Sequence, residues 1–387
     1  MSNSIHSAAR DTIMISAQRF EASPFEPYWA KPGMLMGVYA GRSYPIDLGD
    51  DPSKMYWILR RQSVMYDVPE RPVEISGPEV VPFLEKVFAR HIATLKEGRG
   101  RYAIACTPQG GVFMDGVLFR LSDNRFWYVQ PDGALVPWLI AHSGGFDVTI
   151  SDPKSRVLQI QGPTSPAVIA AATEGAITDA FKYFHAGFFD IGGQRLFVSR
   201  TGWTGELGYE IYTQGEATDC PRLWDHLIEA GKPHGMEFST ISSMEIRRIE
   251  AGILDNLTDF DWTMTPFGAG LGPFIDVDKL DFIGREALLA ADRRTVLFGL
   301  KCPNAIPRMD DIAAENGVRL GRITAGVWSP YLDCGIGYVR FDSAKDWVGQ
   351  SLTLCAPDGG KHECEVVSLP FYDSEKRIPR GLDHPQV

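Results

Sequence analysis

Two segments of the chain repeat one order of hydrophobic and polar positions. Val73–Phe88 reads VEISGPEVVPFLEKVF, and Val157–Ala172 reads VLQIQGPTSPAVIAAA. In both, an apolar run of strand length ends at Gly-Pro, which sets the chain for helix entry, and apolar residues at helical spacing follow. Because each helix needs a sheet to cover it, the pattern predicts two related α+β halves. Coincidence explains the repetition about equally well, since strand–turn–helix segments are common.

The remaining pattern predicts a hairpin, two helices and a separate β unit. Arg101–Leu121 has two alternating apolar runs around a Gly-containing turn, as in a β-hairpin. The apolar period predicts helices at Pro221–Gly231 and Ser242–Gly252. From about Arg294, short strands separated by Pro, Gly and Asp predict an all-β unit that ends near Phe371. The final residues, DSEKRIPRGLDHPQV, read as a polar tail.

Length and charge narrow the class of protein. A chain of 387 residues is too long for one ordinary core and suggests two or three domains. The formal net charge is −11 and no cluster of Lys and Arg occurs, which argues against a nucleic-acid partner. The same charge mildly favours a cationic small substrate through long-range attraction.

Neither a membrane nor a metal is expected as a partner. The N-terminus, MSNSIHSAARDTIMISAQRF, lacks the apolar core and cleavage site of a signal peptide, and no apolar run is long enough to span a bilayer. The six cysteines are scattered without a C-x-x-C pair, and the eight histidines do not pair at metal-ligand spacings. We therefore predict a cytoplasmic protein with reduced thiols and no metal.

Asp115 is the first residue that suggests chemistry. On a strand it shares a face with Phe113, Val117 and Phe119, and burying a lone carboxylate among apolar residues is costly. Gly116 beside it would leave room for a ligand to approach. Such an aspartate is either functional or paired inside the fold with backbone N–H groups or an arginine, and the pattern alone does not choose between these explanations.

A second candidate is Arg200–Tyr212, which reads RTGWTGELGYEIY. Its three glycines favour a loop whose backbone approaches another group closely. Glu210 and Tyr212 then fall on one face of the following strand. A carboxylate beside an aromatic ring suits a flat heterocycle with an amide-like N–H edge, although a tight turn with a solvated glutamate is the simpler explanation.

These segments, with Met244–Leu288, resemble the glycine-cleavage T-protein family in their order and spacing. The resemblance covers nearly the whole chain from about Asp67 to Phe371. The motifs that carry it are the two GP repeats, GGVFMDG, TGWTGELGYEIY, R-x-E-A-G at Arg248–Gly252, D-x-D followed by P-F-x-A-G-L-G, FIGREAL, WSPYLDCGIGYVR and VVSLPF.

The resemblance implies an α+β fold of three domains, arranged as a cloverleaf around a central folate channel. Two would be related ferredoxin-like α+β domains, one from residues 1–66 with 152–240 and the other from residues 67–151 with 241–290. The third would be a β-barrel-like domain at residues 291–387.

The resemblance also implies roles for individual residues, with tetrahydrofolate as the acceptor of a one-carbon unit. Asp115 takes the place of the catalytic aspartate, and Glu210 matches the residue that holds the pterin ring. Tyr102, Tyr212 and Arg248 are the implied residues of the folate channel.

Two departures favour a demethylase branch of the family over the T-protein itself. T-proteins usually have tyrosine at the position of Trp203, and they have a different segment where this chain reads PFEPYWAKPGMLMGVYAGRSYP. With YDVPERPVEISG, these features look more like dimethylsulfoniopropionate demethylase. The K-G-C-x-G-Q motif of the folate-binding iron–sulfur-assembly proteins does not occur in the sequence.

The main hypothesis is methyl transfer from a small onium donor to N5 of tetrahydrofolate, giving 5-methyltetrahydrofolate. Trp203 would bind the donor by a cation–π contact worth about 0.5–2 kcal/mol, and Asp115 would supply the counter-charge and the alignment. The alternatives are aminomethyl transfer from a lipoyl carrier protein, giving methylene-tetrahydrofolate, and folate binding without catalysis. The competing explanation for Trp203 is simple packing at a loop base.

Overall fold

The computed structural model describes residues 20–383. The expectation of no signal peptide therefore rests on residues outside the described range, apart from Phe20. An N-terminal hairpin and helix lead into two sheets, and a barrel follows them. The Asp51 side chain caps the helix after the hairpin by accepting hydrogen bonds from the backbone N–H groups of Ser53 and Lys54.

The described residues contain nineteen strands and eight α-helices. The strands are β1 (Leu35–Tyr39), β2 (Arg42–Asp47), β3 (Ser63–Val68), β4 (Arg71–Ser76), β5 (Arg99–Cys106), β6 (Val112–Ser122), β7 (Arg125–Gln130), β8 (Thr149–Ser151), β9 (Val157–Gln161), β10 (Ala186–Ile191), β11 (Gln194–Ser199), β12 (Gly208–Tyr212), β13 (Met236–Phe238), β14 (Leu297–Cys302), β15 (Ile312–Glu315), β16 (Val318–Ser329), β17 (Cys334–Phe341), β18 (Ser351–Cys355) and β19 (Lys361–Val367). The helices are α1 (Glu26–Trp29), α2 (Pro52–Arg61), α3 (Val80–Val87), α4 (Leu135–His142), α5 (Ser165–Ala172), α6 (Cys220–Gly231), α7 (Ile241–Glu250) and α8 (Arg285–Ala290).

Two sheets pack face to face and are covered by helices on their outer faces. The first sheet has the strand order β10–β11–β12–β9–β3–β13, and the second has the order β5–β6–β7–β4–β8. Helices α5 and α6 share a core with the outer face of the first sheet, and α3 and α4 do the same for the second. The core between the sheets contains Tyr212 and Phe197 from the first sheet and Phe119 and Trp127 from the second.

The C-terminal strands form a closed barrel in the order β14–β17–β16–β15–β18–β19. The barrel closes because β14 pairs with both β17 and β19. The expected α+β fold with an all-β C-terminal unit is thus confirmed. The first sheet draws its strands from residues 63–68 and 157–238, and the second draws them from residues 71–151. The domain boundaries themselves stay predictions.

The strand–Gly-Pro–helix repeat is real in structure, because β4 leads into α3 as β9 leads into α5. Gly77 and Gly162 hold the two turns with positive φ angles of 132° and 122°. A Cβ atom would lie 2.4 Å from the Asp147 carbonyl oxygen at the first turn and 2.3 Å from that of Gln62 at the second. Both turns therefore need glycine for the same two reasons, conformation and close backbone approach.

The C-terminal segment differs from the polar tail that the sequence suggests. Ile378 is 2% exposed, and the Arg200 guanidinium donates to the backbone oxygen of Arg380 at 3.1 Å. Tyr372 donates a hydrogen bond to buried Glu250 at 2.5 Å. The buried side chain of Ile378 and the backbone oxygen of Arg380 thus hold this otherwise charged stretch against the body of the protein, directly after Tyr372.

Candidate functional site

Glu210 belongs to a row of polar side chains on the inner face of the first sheet. Its register partners are Ser199 on β11 and Gln159 on β9, and Tyr66 on β3 continues the row. The neighbouring row, which contains Tyr212, belongs to the apolar core between the sheets. The polar row therefore marks the place where that core ends.

Four side chains donate hydrogen bonds to the Glu210 carboxylate. Gln159 Nε2 reaches Oε1 at 2.8 Å, while the hydroxyls of Tyr212, at 2.9 Å, Ser199, at 3.3 Å, and Thr201 reach Oε2. Burial raises the pKa of Glu210, and these donors oppose the rise. Because Oε1 carries a single donor, it can accept one more hydrogen bond from a ligand N–H group.

The structure confirms that Glu210 and Tyr212 share a face, but it gives the tyrosine a supporting position. The Tyr212 ring is fully buried, with ring centroids 5.5 Å from Phe197 and 6.2 Å from Trp127. Only its hydroxyl reaches the polar row, where it holds Glu210. A folate contact of Tyr212 would therefore act through Glu210.

Asp115 lies on the inner face of the second sheet and is 8% exposed. The Tyr102 hydroxyl donates to its Oδ2 at 2.8 Å, while Oδ1 is buried and accepts no hydrogen bond. Burial, opposed by Tyr102 and by the adjacent amide of Asn256, raises the pKa of Asp115 to about 6. A desolvated carboxylate with one open oxygen is typical of a functional site.

Two details of the sequence-based strand analysis are wrong at this point. Phe113 does not share the face of Asp115, because a β-bulge occurs there and its ring stacks on Trp138 on the outer side, with centroids 4.2 Å apart. Gly116 does not make room for a ligand. A Cβ atom there would lie 2.4 Å from the Val129 carbonyl oxygen, so the glycine accommodates the neighbouring strand β7.

Trp203 and Arg248 are in direct contact. The Arg248 guanidinium lies 5.1 Å from the centroid of the Trp203 ring, and it bonds to Asp259 at 2.6 Å and to Glu245 at 2.5 Å. Trp203 also packs against the apolar core between the sheets. The cation over Trp203 in this structure is therefore an arginine of the protein, and contact of this ring with an onium donor stays a prediction.

Sequence reasoning missed several residues beside Asp115. Burial raises the pKa of Tyr39, and the negative charges of Asp255, Glu70 and Asp115 raise it further. Burial, Glu210 and Asp255 raise the pKa of Glu70 to about 8. Burial, strengthened by nearby acids, likewise raises the pKa of Asp255 to about 7.

Asn256 is 4% exposed, and its amide lies close enough to Asp115 to lower the pKa of that carboxyl, although neither amide atom has a partner in good hydrogen-bond geometry. The one sequence signal for this region was that the polar pair Asp255-Asn256 interrupts the apolar run of ILDNL directly after R-x-E-A-G. Glu70 stood in YDVPERP without any signal that it would face the same place.

Metal binding and membrane spanning can be examined over residues 20–383. No group of three or more His, Cys, Asp or Glu side chains among them is arranged to hold a metal ion. No helix in this range is long and apolar enough to cross a membrane.

Comparison with known proteins identifies the family. Residues 37–279 match the family model described as the GCVT N-terminal domain, and residues 293–373 match the glycine cleavage T-protein C-terminal barrel domain. An aminomethyltransferase from Halothermothrix orenii is 30% identical over 325 residues, which cover 81% of this chain and 89% of the relative. One from Streptomyces avermitilis is 29% identical over 358 residues, covering 89% and 95%.

A solved structure gives the same result. The crystal structure of glycine cleavage system aminomethyltransferase T from Bartonella henselae superposes with a TM-score of 0.83 at 25% sequence identity, covering 92% of this chain and 98% of that one. The family models, the relatives and the solved structure thus match this chain over most of its length and indicate the same family. This chain belongs to the glycine-cleavage T-protein family.

Proposed function

We propose that this chain transfers a one-carbon unit from a cationic donor to N5 of tetrahydrofolate, and that the donor is an aminomethyl group on a lipoyl carrier protein. The observation that carries the proposal is Asp115, which is buried with one open oxygen on the sheet face opposite Glu210. The aminomethyltransferases among the relatives support this donor. The dimethylsulfoniopropionate demethylase that the sequence departures favour has no such support among these relatives.

In this proposal Glu210 binds the folate acceptor, and Asp115 takes part in the transfer step. Glu210 Oε1 would hold the N–H edge of the pterin ring, with its orientation fixed by Gln159 and Tyr212. Asp115, held by Tyr102, would accept the proton that N5 loses as its new bond to carbon forms. A pKa of Asp115 near 6, raised by burial, leaves the carboxylate ionised and able to take that proton at neutral pH. The N5–carbon bond would form as the carbon–nitrogen bond of the donor breaks, and the released ammonia would take up the proton from Asp115. The N10–carbon bond would form as the carbon–sulfur bond breaks, with the N10 proton passing to the sulfur, so that the products are methylene-tetrahydrofolate, ammonium and the free lipoyl thiol.

A second candidate is methyl transfer from an onium donor, giving 5-methyltetrahydrofolate and a neutral product. The observation that favours it is the pair of partly exposed rings on the N-terminal hairpin, Tyr39 and Tyr44, whose centroids are 6.3 Å apart. Aromatic faces next to carboxylates suit a cation without N–H groups. The sequence departures at Trp203 and in the N-terminal segment agree with this candidate.

Mass spectrometry of the folate products tests both candidates. The full chain would be incubated with tetrahydrofolate and either an aminomethyl-loaded lipoyl carrier or one of three methyl donors, dimethylsulfoniopropionate, glycine betaine and dimethylglycine. Methylene-tetrahydrofolate from the carrier alone would support the first candidate, and 5-methyltetrahydrofolate from a methyl donor would support the second. The absence of any product above the level of an Asp115→Asn control would reject both.

A further inference from the structure

Glu70 lies in line with Asp115 on the inner face of the second sheet. The registers of β6 with β7 and of β7 with β4, continued by one or two residues, place Asp115, Pro131 and Glu70 in one cross-strand row. Adjacent strands are about 4.8 Å apart, so the Cα atoms of Asp115 and Glu70 are separated by about 10 Å. Two carboxylates therefore face the same side of the sheet with one strand between them.

The loop after α7 and the N-terminal hairpin close this row from other directions. Asp255 and Asn256 come from the loop, and Tyr39 from the hairpin, and the charges of Asp255, Glu70 and Asp115 all act on the Tyr39 hydroxyl. Three separate parts of the chain thus bring acidic or acceptor groups to one location.

Several polar atoms at this location are buried without any hydrogen-bond partner. They are Oε2 of Glu70, Oδ1 of Asp115, both amide atoms of Asn256, which lies beside Asp115, and Nε and Nη2 of Arg42, which lies beside Glu70. Buried polar groups are nearly always hydrogen-bonded in folded proteins, and an unpaired one costs about 1–3 kcal/mol. A concentration of them beside a reacting carboxylate points to a ligand that supplies the missing partners.

The charge balance indicates the sign of that ligand. Two arginines offset part of the acidic charge. Arg42 donates to the backbone oxygen of Glu70 at 2.8 Å and lowers the pKa of its carboxyl, and Arg248, which pairs with Asp259 at 2.6 Å, lowers the pKa of Asp255. The surrounding carboxylates disfavour further negative charge, because in addition to burial Glu210 and Asp255 raise the pKa of Glu70, and Asp259 and Glu245 raise the pKa of Asp255. Glu70 and Asp115 are spread about 10 Å apart along one row instead of converging on a point, which suits a bulky organic cation better than a small ion.

We propose that Glu70 and Asp255, with the ring of Tyr39, form the subsite that binds the cationic ammonium or onium group of the one-carbon donor. This inference rests on the proposed function for its identification of the ligand as the donor. The subsite would place the donor carbon between Asp115 and N5 of the folate, and it would select donors by positive charge.

Three small alcohols with the same two-carbon chain test the proposal by direct binding to the full chain. Choline carries a quaternary onium, ethanolamine carries a primary ammonium, and 3,3-dimethylbutan-1-ol is the neutral counterpart of choline. Titration calorimetry should show at least one of the two cations binding about tenfold or more tightly than the neutral alcohol. A preference for ethanolamine indicates an ammonium donor, and a preference for choline indicates an onium donor. Equal binding of all three would overturn the proposal.

Variants locate the binding on the named residues. Glu70→Gln keeps the shape of the side chain and should abolish the preference for the cation, while tetrahydrofolate binding changes less than twofold. Asp255→Asn, which retains an acceptor for Thr258, should act in the same direction. Glu229→Gln makes the same chemical change at an exposed position on α6 and should have no effect.

Tetrahydrofolate binding and product formation distinguish failure of the subsite proposal from failure of the proposed function. If Glu70→Gln weakens tetrahydrofolate binding and leaves the preference for the cation intact, Glu70 belongs to the pterin site and the proposal is wrong. If the wild-type chain prefers the cations but no folate product forms with any donor, the subsite stands and the proposed reaction is the part that fails.

Discussion

Replacing Asp115 by asparagine should abolish turnover and at the same time stabilise the fold. The carboxylate is 8% exposed, and burial raises its pKa from 3.8 to about 6. Such a rise lowers the free energy of unfolding by about 3 kcal/mol at neutral pH, relative to a carboxyl with an unshifted pKa. Asparagine keeps an acceptor for the Tyr102 hydroxyl, which bonds at 2.8 Å, but carries no charge. Part of the gain is lost because the amide is also desolvated, so we expect about 1–3 kcal/mol of net stabilisation.

The sign of the effect can be checked by its pH dependence. Below pH 3.8 the carboxyl is protonated in both the folded and unfolded states, so it does not affect the free energy of unfolding. Between pH 4 and pH 6 the unfolded state ionises first, and the wild-type protein loses stability relative to the variant. Above pH 6 the full difference is present. The gap in melting temperature between Asp115→Asn and wild type should therefore open from pH 4 to pH 6 and then stay constant.

The assay is thermal unfolding from pH 4.5 to pH 8, together with product formation at pH 7.5. The variant should melt a few degrees higher than the wild type at pH 7.5 and should lose turnover by about a hundredfold or more. Asp346→Asn, at an exposed position, is the matched control and should change neither quantity. A lower melting temperature for Asp115→Asn at pH 7.5 would show that the carboxylate is a structural acceptor. Retained turnover would show that the site assignment is wrong.

Three further outcomes are expected. Glu210→Ala removes the acceptor for the pterin edge and should weaken tetrahydrofolate binding about tenfold or more in a fluorescence titration. The same change at exposed Glu216 should leave the affinity unchanged. Unchanged affinity in Glu210→Ala would show that Glu210 does not belong to the folate site. The value of kcat/KM should rise with pH through about 6 as the burial-shifted pKa of Asp115 is crossed, and a flat profile would contradict its role as a proton acceptor. Arg248→Met leaves Asp259 buried without its ion-pair partner and should lower stability by about 3–5 kcal/mol, so a variant that melts like the wild type would refute this pairing.

Much of the fold followed from local patterns in the sequence. The repeated strand–Gly-Pro–helix segments, the hairpin around residue 107 and the helix at Cys220–Gly231 all appear where periodicity indicated them. Periodicity succeeds here because a strand or helix exposes its own repeat to one core, and glycine with proline marks where the repeat stops. The residues Asp115 and Glu210 came from the same patterns together with the family resemblance.

Local patterns failed where one extra residue or one distant neighbour changed the outcome. The bulge at Phe113 places that side chain on the face of the sheet opposite to Asp115, and no feature of GGVFMDG predicts the bulge. The pattern around Trp203 did not indicate that Arg248 lies over its ring, and donor binding by Trp203 stays a prediction. The hairpin pattern predicts that β5 and β6 pair but not the register shift within the pair, and the sequence does not show that Trp203 and Arg248 are neighbours.

The sequence by itself determined the order of the elements, the repeated strand–Gly-Pro–helix segments, the all-β C-terminal unit and the two carboxylates that lie on strand faces. Only the tertiary structure decided that Glu70 and Asp255, which are far apart in the chain, act on the same tyrosine as Asp115. The physical reason is that hydrophobic periodicity records which face of an element is buried but not which other element buries it. Burial and charge at the site depend on that second choice, and the unpaired acids became visible only once the sheets had packed.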